Sequence, residues 1–315
     1  AMWTCGMRPN HIVPLPIGTF FIAASYGEAI ESLGSTLIPV GVGATDRLIG
    51  AVKNLGANFI LSTASFPLYL ITYCQKKATD PKTLGIGGFM VGGEPGGGIP
   101  HIRRQIEGAF GANVQECMGN GDMLGLMWAE CEYKNGMHFI GQGGCHPEII
   151  DPSTGEVLEA EEGLTGELVY TSIDRECQPL IRFRTRDHVV VTQTDCECGR
   201  TGYCIKCIGR TDDMLIVSGV NVYPSAIRDV IGTLAPRVTG EILIQLQEPP
   251  PSVRPPMKIK VEHGQEPGDL ALLKSEIEKL LREKLIFSSD AELVPPATLP
   301  KYEYKAQLVE KTYET

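Results

Sequence analysis

At 315 residues, 43% hydrophobic and 21% charged, the chain is long enough for two domains that each bury a core without disulfides or a metal. A formal net charge of −10 argues against a nucleic-acid backbone as partner, because binding by counterion release needs clustered Lys and Arg. Ten cysteines diluted through apolar runs read as reduced thiols rather than a secreted disulfide scaffold. No run reaches membrane-spanning length, and residues 1–16 lack the basic start and apolar centre of a secretory signal. A cytoplasmic protein with a small-molecule ligand and no membrane partner is expected.

In chain order, residues 26–33 read as helix, 35–39 as strand, 46–55 as helix and 59–62 as strand. A helix over 67–77, an apolar strand over 87–91 and an amphipathic helix over 99–110 follow. Strands alternating with helices imply right-handed crossovers and a doubly wound, mostly parallel α/β sheet. The texture then changes. Strand-like runs at 137–140, 148–150, 167–172 and 187–192, separated by turns such as Asp151-Pro152-Ser153-Thr154-Gly155, predict an antiparallel β subdomain over about 131–208. Beyond Gly209 come further strands, a Pro-rich insertion at 248–256, a strand over 257–261 and a charged helix over 270–284. Leu273, Ile277, Leu280 and Leu281 share one face of that helix. The expected division is a core domain over 1–211 and a smaller α+β domain over 212–315.

The glycine run from Gly92 to Gly98, with Gly93, Glu94 and Pro95 at its start, follows a buried strand and precedes a helix. Parallel strands present ligand sites at that end, and glycine lets backbone approach a ligand; an ordinary turn is the plain alternative. A longer signal is Gly209-Arg210-Thr211-Asp212-Asp213-Met214-Leu215-Ile216-Val217-Ser218-Gly219-Val220-Asn221-Val222-Tyr223-Pro224. It closely resembles the hinge signature of acyl-adenylate-forming enzymes, in the form found in the phenylacetate-coenzyme A ligase family. Three more segments fall in that family's order: Cys117-Met118-Gly119-Asn120-Gly121-Asp122, Phe183-Arg184-Thr185-Arg186-Asp187, and 293–300 leading to Lys305.

The resemblance implies an acid-thiol ligase that uses ATP to make an acyl-adenylate and pyrophosphate, then passes the acyl group to coenzyme A with release of AMP. The acid it implies is an aryl carboxylate such as phenylacetate. It further implies that Asp187 binds the ribose hydroxyls and Arg210 the ribose or a phosphate, while Gly93, Glu94, Pro95, Cys117, Met118 and Gly119 line the adenine and acyl walls. Asp122 would hold Mg2+, Asp212 would be the hinge of a mobile C-terminal domain, and Lys305 would offset charge developing at the α-phosphate. The segment at 117–122 departs from the family pattern: Met118 stands for an aromatic residue, Gly121 for a hydroxyl residue and Asp122 for glutamate. Met can still pack on an aromatic ring and Asp can still ligate magnesium. Tyr304 and Leu308 also depart, standing for a usual glycine and a usual basic residue. No Ser/Thr/Gly-rich phosphate loop occurs, so the chain corresponds to about the C-terminal three-quarters of a family member. Either the sequence begins late in the family pattern or the clamp is lost. The second case motivates a competing reading, an impaired homologue that binds AMP or acyl-adenylate as a sensor or partner protein.

Two metal sets are open. Cys196-x-Cys198 and Cys204-x2-Cys207 look like paired thiolate knuckles, but only five residues separate them. The resemblance implies a structural zinc held by Cys131, His138, Cys196 and Cys198 instead; buried free thiols are the third reading. His101, His146, His188 and His263 read as surface or core residues, and no feature orients a base toward Cys145 or Cys177. Oligomeric state is left open, with a homodimer among the expected assemblies.

Overall fold

The computed structural model describes residues 1–18, 22–302 and 306–314. Strand β1 (Ile12–Leu15) precedes helix α1 (Ile22–Ser32) and pairs in parallel with β2 (Thr36–Pro39). The chain continues through α2 (Thr45–Leu55), β3 (Phe59–Ser62), α3 (Ser65–Lys76), β4 (Gly88–Gly92), α4 (Pro100–Phe110) and β5 (Asn113–Asn120). β3, β4 and β5 are parallel neighbours. Their side chains alternate between two cores, as a period of two requires. Ile60, Phe89 and Val91 join Leu48, Ile71 and Ile106 from the helices, whereas Phe59, Leu61 and Met90 join Val13, Leu15 and Ile30. Both faces are therefore covered, which is why these strands read as continuous apolar runs.

Beyond β5 the polarity reverses. β6 (Leu124–Glu130), β7 (Met137–Phe139), β8 (Cys145–Ile150), β9 (Thr165–Ser172), β10 (Phe183–Gln193) and β11 (Cys204–Arg210) complete a nine-stranded sheet of order β3-β4-β5-β6-β7-β11-β10-β9-β8. The pairs β5–β6, β6–β7, β7–β11, β9–β10 and β8–β9 are antiparallel. The α/β class holds, with one refinement. The parallel strands and the β subdomain expected over about 131–208 belong to one continuous sheet whose parallel part ends at β5. A third core, around Trp128, Tyr170, Leu168 and Val189, serves the antiparallel part.

The remaining elements are β12 (Leu215–Val217), β13 (Val220–Val222), α5 (Pro224–Gly232), β14 (Val238–Leu246), β15 (Ser252–Val253), β16 (Met257–His263), α6 (Leu270–Leu285), β17 (Ser289–Val294) and β18 (Val309–Lys311). They form a three-stranded sheet, β13-β12-β15, and a four-stranded sheet, β17-β16-β14-β18. Asp269 starts α6 by accepting hydrogen bonds from the N–H groups of Ala271 and Leu272. Leu273, Ile277 and Leu281 are buried in the core of this part, while Leu280 is half-buried. The chain divides into two compact units, one formed mainly by residues 1–207 and the other mainly by 208–301 with 306–314. Among the described residues no helix is long and apolar enough to cross a membrane.

Leu281 has no exposed surface and Leu272 is 70% exposed on the same helix. Leu281→Ala is expected to cost about 2 to 5 kcal/mol in urea unfolding, and Leu272→Ala less than about 0.5 kcal/mol. Equal effects would contradict the assigned helix face.

Candidate functional site

Gly92 ends β4 directly opposite Cys117 of β5, so the 93–98 loop and the Met118–Gly119 segment leave neighbouring parallel strands side by side. This is the end of the sheet where α/β folds collect ligands. The loop is tied down at both ends. Glu94 accepts the backbone N–H of Ser65 at 2.7 Å, supplying the helix cap that Ala64 has no side chain to provide. Gly96 donates its N–H to the Glu116 carboxylate at 3.3 Å. Packing within the protein requires glycine at three of the loop's residues. A Cβ at Gly96 would lie 2.3 Å from the Ala64 Cβ, one at Gly97 2.5 Å from Val91, and one at Gly98 2.4 Å from a Glu116 oxygen. Those glycines face the protein's own interior. Gly93, in the left-handed region with φ of 79°, makes the turn itself.

On β5, Cys117 is buried, and burial first and then the neighbouring Cys5 and Glu116 hold its thiol well above the usual range. Met118 lies opposite Trp128 on β6. Gly119 is forced by the hairpin, because a Cβ there would meet the Gly125 carbonyl oxygen at 1.9 Å. Asp122 sits in the exposed turn, donating its N–H to the Asn120 side chain at 2.8 Å, while its carbonyl accepts from Arg175.

Asp187 lies in a bulge of β10, where the register shifts between Arg184 and His188 and Arg186 is left-handed with φ of 65°. The bulge is pinned on both sides. Buried Thr185 donates to the Leu168 carbonyl at 3.0 Å and accepts the Asp187 N–H at 3.1 Å. Arg184 clasps the fully buried Glu167 through Nε–Oε1 at 3.0 Å and Nη2–Oε2 at 2.5 Å. Two residues that no sequence motif marks join this strand to β5. Trp128, opposite Met118, donates its indole N–H to the Tyr170 hydroxyl at 2.7 Å. Burial and, secondarily, the negative charge of Asp187 raise the Tyr170 phenol.

A cluster of soft ligands lies where β6 ends. The β6–β7 register sets Ala129 opposite His138, which brings His138 close to Cys131. The 194–203 connection adds Cys196 and Cys198. One donor atom from each of the four lies within 4.8 Å of the others. Cys131 Sγ is 3.8 Å from Cys196 Sγ, and Cys198 Sγ is 3.4 Å from His138 Nε2. Cys204 stands opposite His138 on β11 with its sulfur 3.4 Å from Nδ1, whereas Cys207 packs with the Trp128 core. The four-cysteine alternative is therefore not assembled among the described residues. Burial, reinforced by Cys196 and Cys198, pushes the Cys131 thiol up to about 12. At Cys198 the upward effect of burial is outweighed by hydrogen bonds from Arg200, and the thiol is lowered. Burial and the nearby Arg200 lower His138, favouring the neutral imidazole that a metal requires.

In the second unit, Arg210 and Asp212 form a two-point pair, Nε–Oδ1 and Nη2–Oδ2 both at 2.9 Å, in the turn after β11. Lys305 lies outside the described residues.

Comparison with known proteins adds three findings. The AMP-binding enzyme C-terminal domain family matches residues 219–311. A phenylacetate-coenzyme A ligase of Thermus thermophilus is 31% identical over 95% of this chain and 70% of its own length. One from Pseudomonas putida is 37% identical over 67% of this chain and 46% of its own length. Among solved structures, a 2-hydroxyisobutyryl-CoA ligase in its postadenylation state, in complex with 2-HIB-AMP, superposes with a TM-score of 0.88 at 26% identity. That match covers 99% of this chain and 68% of the ligase.

Proposed function

The chain belongs to the phenylacetate-coenzyme A ligase family of AMP-forming acid-thiol ligases, and on that premise we propose that it forms the acyl-adenylate cleft and C-terminal domain of an aryl acid-coenzyme A ligase. The observation that carries this reading is the relay from the ends of β4 and β5 to the strand bearing the Asp187 bulge: Gly92 opposite Cys117, Met118 opposite Trp128, Trp128 bonded to Tyr170, and Tyr170 opposite Phe183 of β10.

In the first half-reaction a carboxylate oxygen of the acid attacks the α-phosphorus of ATP; the new O–P bond forms as the bond to pyrophosphate breaks. Asp187, already pinned by its bulge, would take both ribose hydroxyls with charge-assisted hydrogen bonds. Gly93, Glu94 and Pro95 would form one wall and Cys117, Met118 and Gly119 the other, with the Met118 thioether packed on adenine. The Glu94 carboxylate is engaged by Ser65, so its share in the wall would come through backbone. The exposed Asp122 carboxylate fits a single-carboxylate Mg2+ site completed by phosphates. Arg210 would exchange its Asp212 partner for ribose or phosphate oxygens. In the second half-reaction the coenzyme A thiolate attacks the acyl carbon and AMP leaves. Water must be excluded before this step and a bulky thiol admitted during it, which rotation about Asp212 would allow.

Sequence relatives favour an arylacetate, whereas the structural relative named for 2-hydroxyisobutyrate shows that this scaffold serves an aliphatic acid too. Pyrophosphate release across aryl and aliphatic acids decides between them. The sensor reading is not favoured by relatives that are ligases by name. The ten cysteines, diluted through apolar runs as reduced thiols are, support a cytoplasmic enzyme.

For the Cys131, His138, Cys196 and Cys198 cluster we propose a structural zinc. Tetrahedral zinc with Zn–S near 2.3 Å and Zn–N near 2.0 Å places two sulfurs roughly 3.8 Å apart and a sulfur and a nitrogen roughly 3.5 Å apart. The separations of 3.8 and 3.4 Å fit those edges. Four protein ligands close the shell and leave no position for substrate, so its contribution would be to hold the β6–β7 hairpin against the 194–203 connection. Protein purified without chelator is expected to carry one zinc that Cys131→Ser loses; metal-free wild type would refute the site.

Lys305→Ala in the full-length protein is expected to slow adenylation on the order of 100-fold, the scale of removing one preorganised electrostatic contact. Thioester formation from supplied acyl-adenylate should persist. Equal loss in both half-reactions, or loss in neither, would contradict its role.

A further inference from the structure

We propose that Glu116 is a positioning residue that holds the 93–98 loop in its ligand-ready conformation by accepting the loop's backbone N–H groups. Its role for the nucleotide rests on the reading of that loop as a wall of the adenylate site. Nothing in the reaction outlined above uses Glu116.

Glu116 lies on β5 with 6% of its surface exposed, its side chain directed beneath the glycine loop. Gly96 donates to Oε1 at 3.3 Å, and the Gly98 N–H also bonds the carboxylate. The loop descends onto this group only because it carries no side chains there: a Cβ at Gly98 would lie 2.4 Å from Oε2, and one at Gly97 3.1 Å from the Glu116 Cβ. The anchor is itself anchored. The Glu116 N–H donates to Glu130 Oε2 at 2.8 Å, the fully buried Glu130 pairs with Arg103 of α4, and Cys5 Sγ lies 3.7 Å from the Glu116 carbonyl oxygen. The connection thus runs from α4 through β6 and β5 to the loop.

Burying a carboxylate is unfavourable unless hydrogen bonds to it compensate, and a well-packed apolar residue would occupy the space at lower cost. The carboxylate therefore earns its place through what it accepts. Burial and the neighbouring Glu130 push its carboxyl up to about 7, while the N–H groups of Gly98 and Gly96 and the Arg103 charge oppose the shift. With Glu94 fixed to Ser65 and Gly96 fixed to Glu116, Pro95 is held between two ties and Gly93 between the end of β4 and the first of them.

The test compares wild type, Glu116→Gln, Glu116→Ala and Asp187→Ala, with AMP as the probe. Glu116→Gln is isosteric and keeps one acceptor oxygen, which guards against a variant that fails to fold. Hydrogen exchange of a 92–99 peptide without ligand should accelerate about tenfold in Glu116→Ala and less in Glu116→Gln, with α6 peptides unchanged. Calorimetry should show AMP affinity reduced about tenfold in Glu116→Ala and partly restored in Glu116→Gln. Unchanged exchange overturns the anchor. Faster exchange with unchanged AMP affinity overturns the positioning role, and so does an AMP affinity lost equally in both Glu116 variants with α6 exchange raised, which marks general destabilisation. If wild type binds no AMP, or Asp187→Ala binds it normally, the failure lies with the nucleotide reading, and the exchange result still decides the anchor.

Discussion

The antiparallel return of β6 along β5 is the constraint on which the other features hang. A parallel neighbour would need a helical crossover, whereas the hairpin needs only the turn at 121–123. That short return sets Met118 against Trp128, presses Gly119 onto the Gly125 carbonyl and delivers Glu130 to the backbone of Glu116. Directly after the strand ends at Glu130, Cys131 joins the metal cluster. The proposed adenine wall, the support under the glycine loop and the soft-ligand cluster all depend on a single ladder. Moving β6 by one residue would turn every one of these side chains to the opposite face.

Charge is distributed unevenly over this frame. Glu116, Glu130 and Glu167 are buried, and each accepts hydrogen bonds from backbone or from arginine, which offset desolvation only in part at Glu116, whose carboxyl still stands at about 7. Removing a partner from such a group leaves an uncompensated charge, which makes these positions intolerant of substitution. The Arg210–Asp212 pair is different: with side chains 42% and 38% exposed, it is of the surface kind that contributes little to stability. A weakly held turn suits the proposed hinge, because a joint that must rotate cannot be fastened by a strong contact. The strongly supported groups lie in the nine-stranded sheet, where the adenylate is proposed to rest.

Much of this was legible in the sequence because propensity and pattern agreed. The helix predicted over 270–284 is found at Leu270–Leu285 with Asp269 as its cap, and the strand predicted over 59–62 is found unchanged. The β5–β6 hairpin was not legible. Gly119, Gly121 and Gly125 interrupt the alternation that marks a strand, and the purpose of Gly119, close approach to the Gly125 backbone, appears only in three dimensions. The glycine loop is visible in the sequence, but the close neighbours of Gly96, Gly97 and Gly98, which are Ala64, Val91 and Glu116, are not. An isolated glutamate before Cys117 belongs to no motif, so nothing in the sequence announces a buried carboxylate. Cysteine spacing offered one ligand set and the family resemblance another, and it is the pairing of Ala129 with His138 that gathers the second.

The most direct test is a crystal structure of the full-length protein with AMP bound. The ribose hydroxyls are predicted within hydrogen-bond reach of Asp187, with adenine between the 93–95 loop and Met118. AMP bound away from the ends of β4 and β5, or with its ribose turned from the β10 bulge, would contradict the assignment of this cleft to the acyl-adenylate.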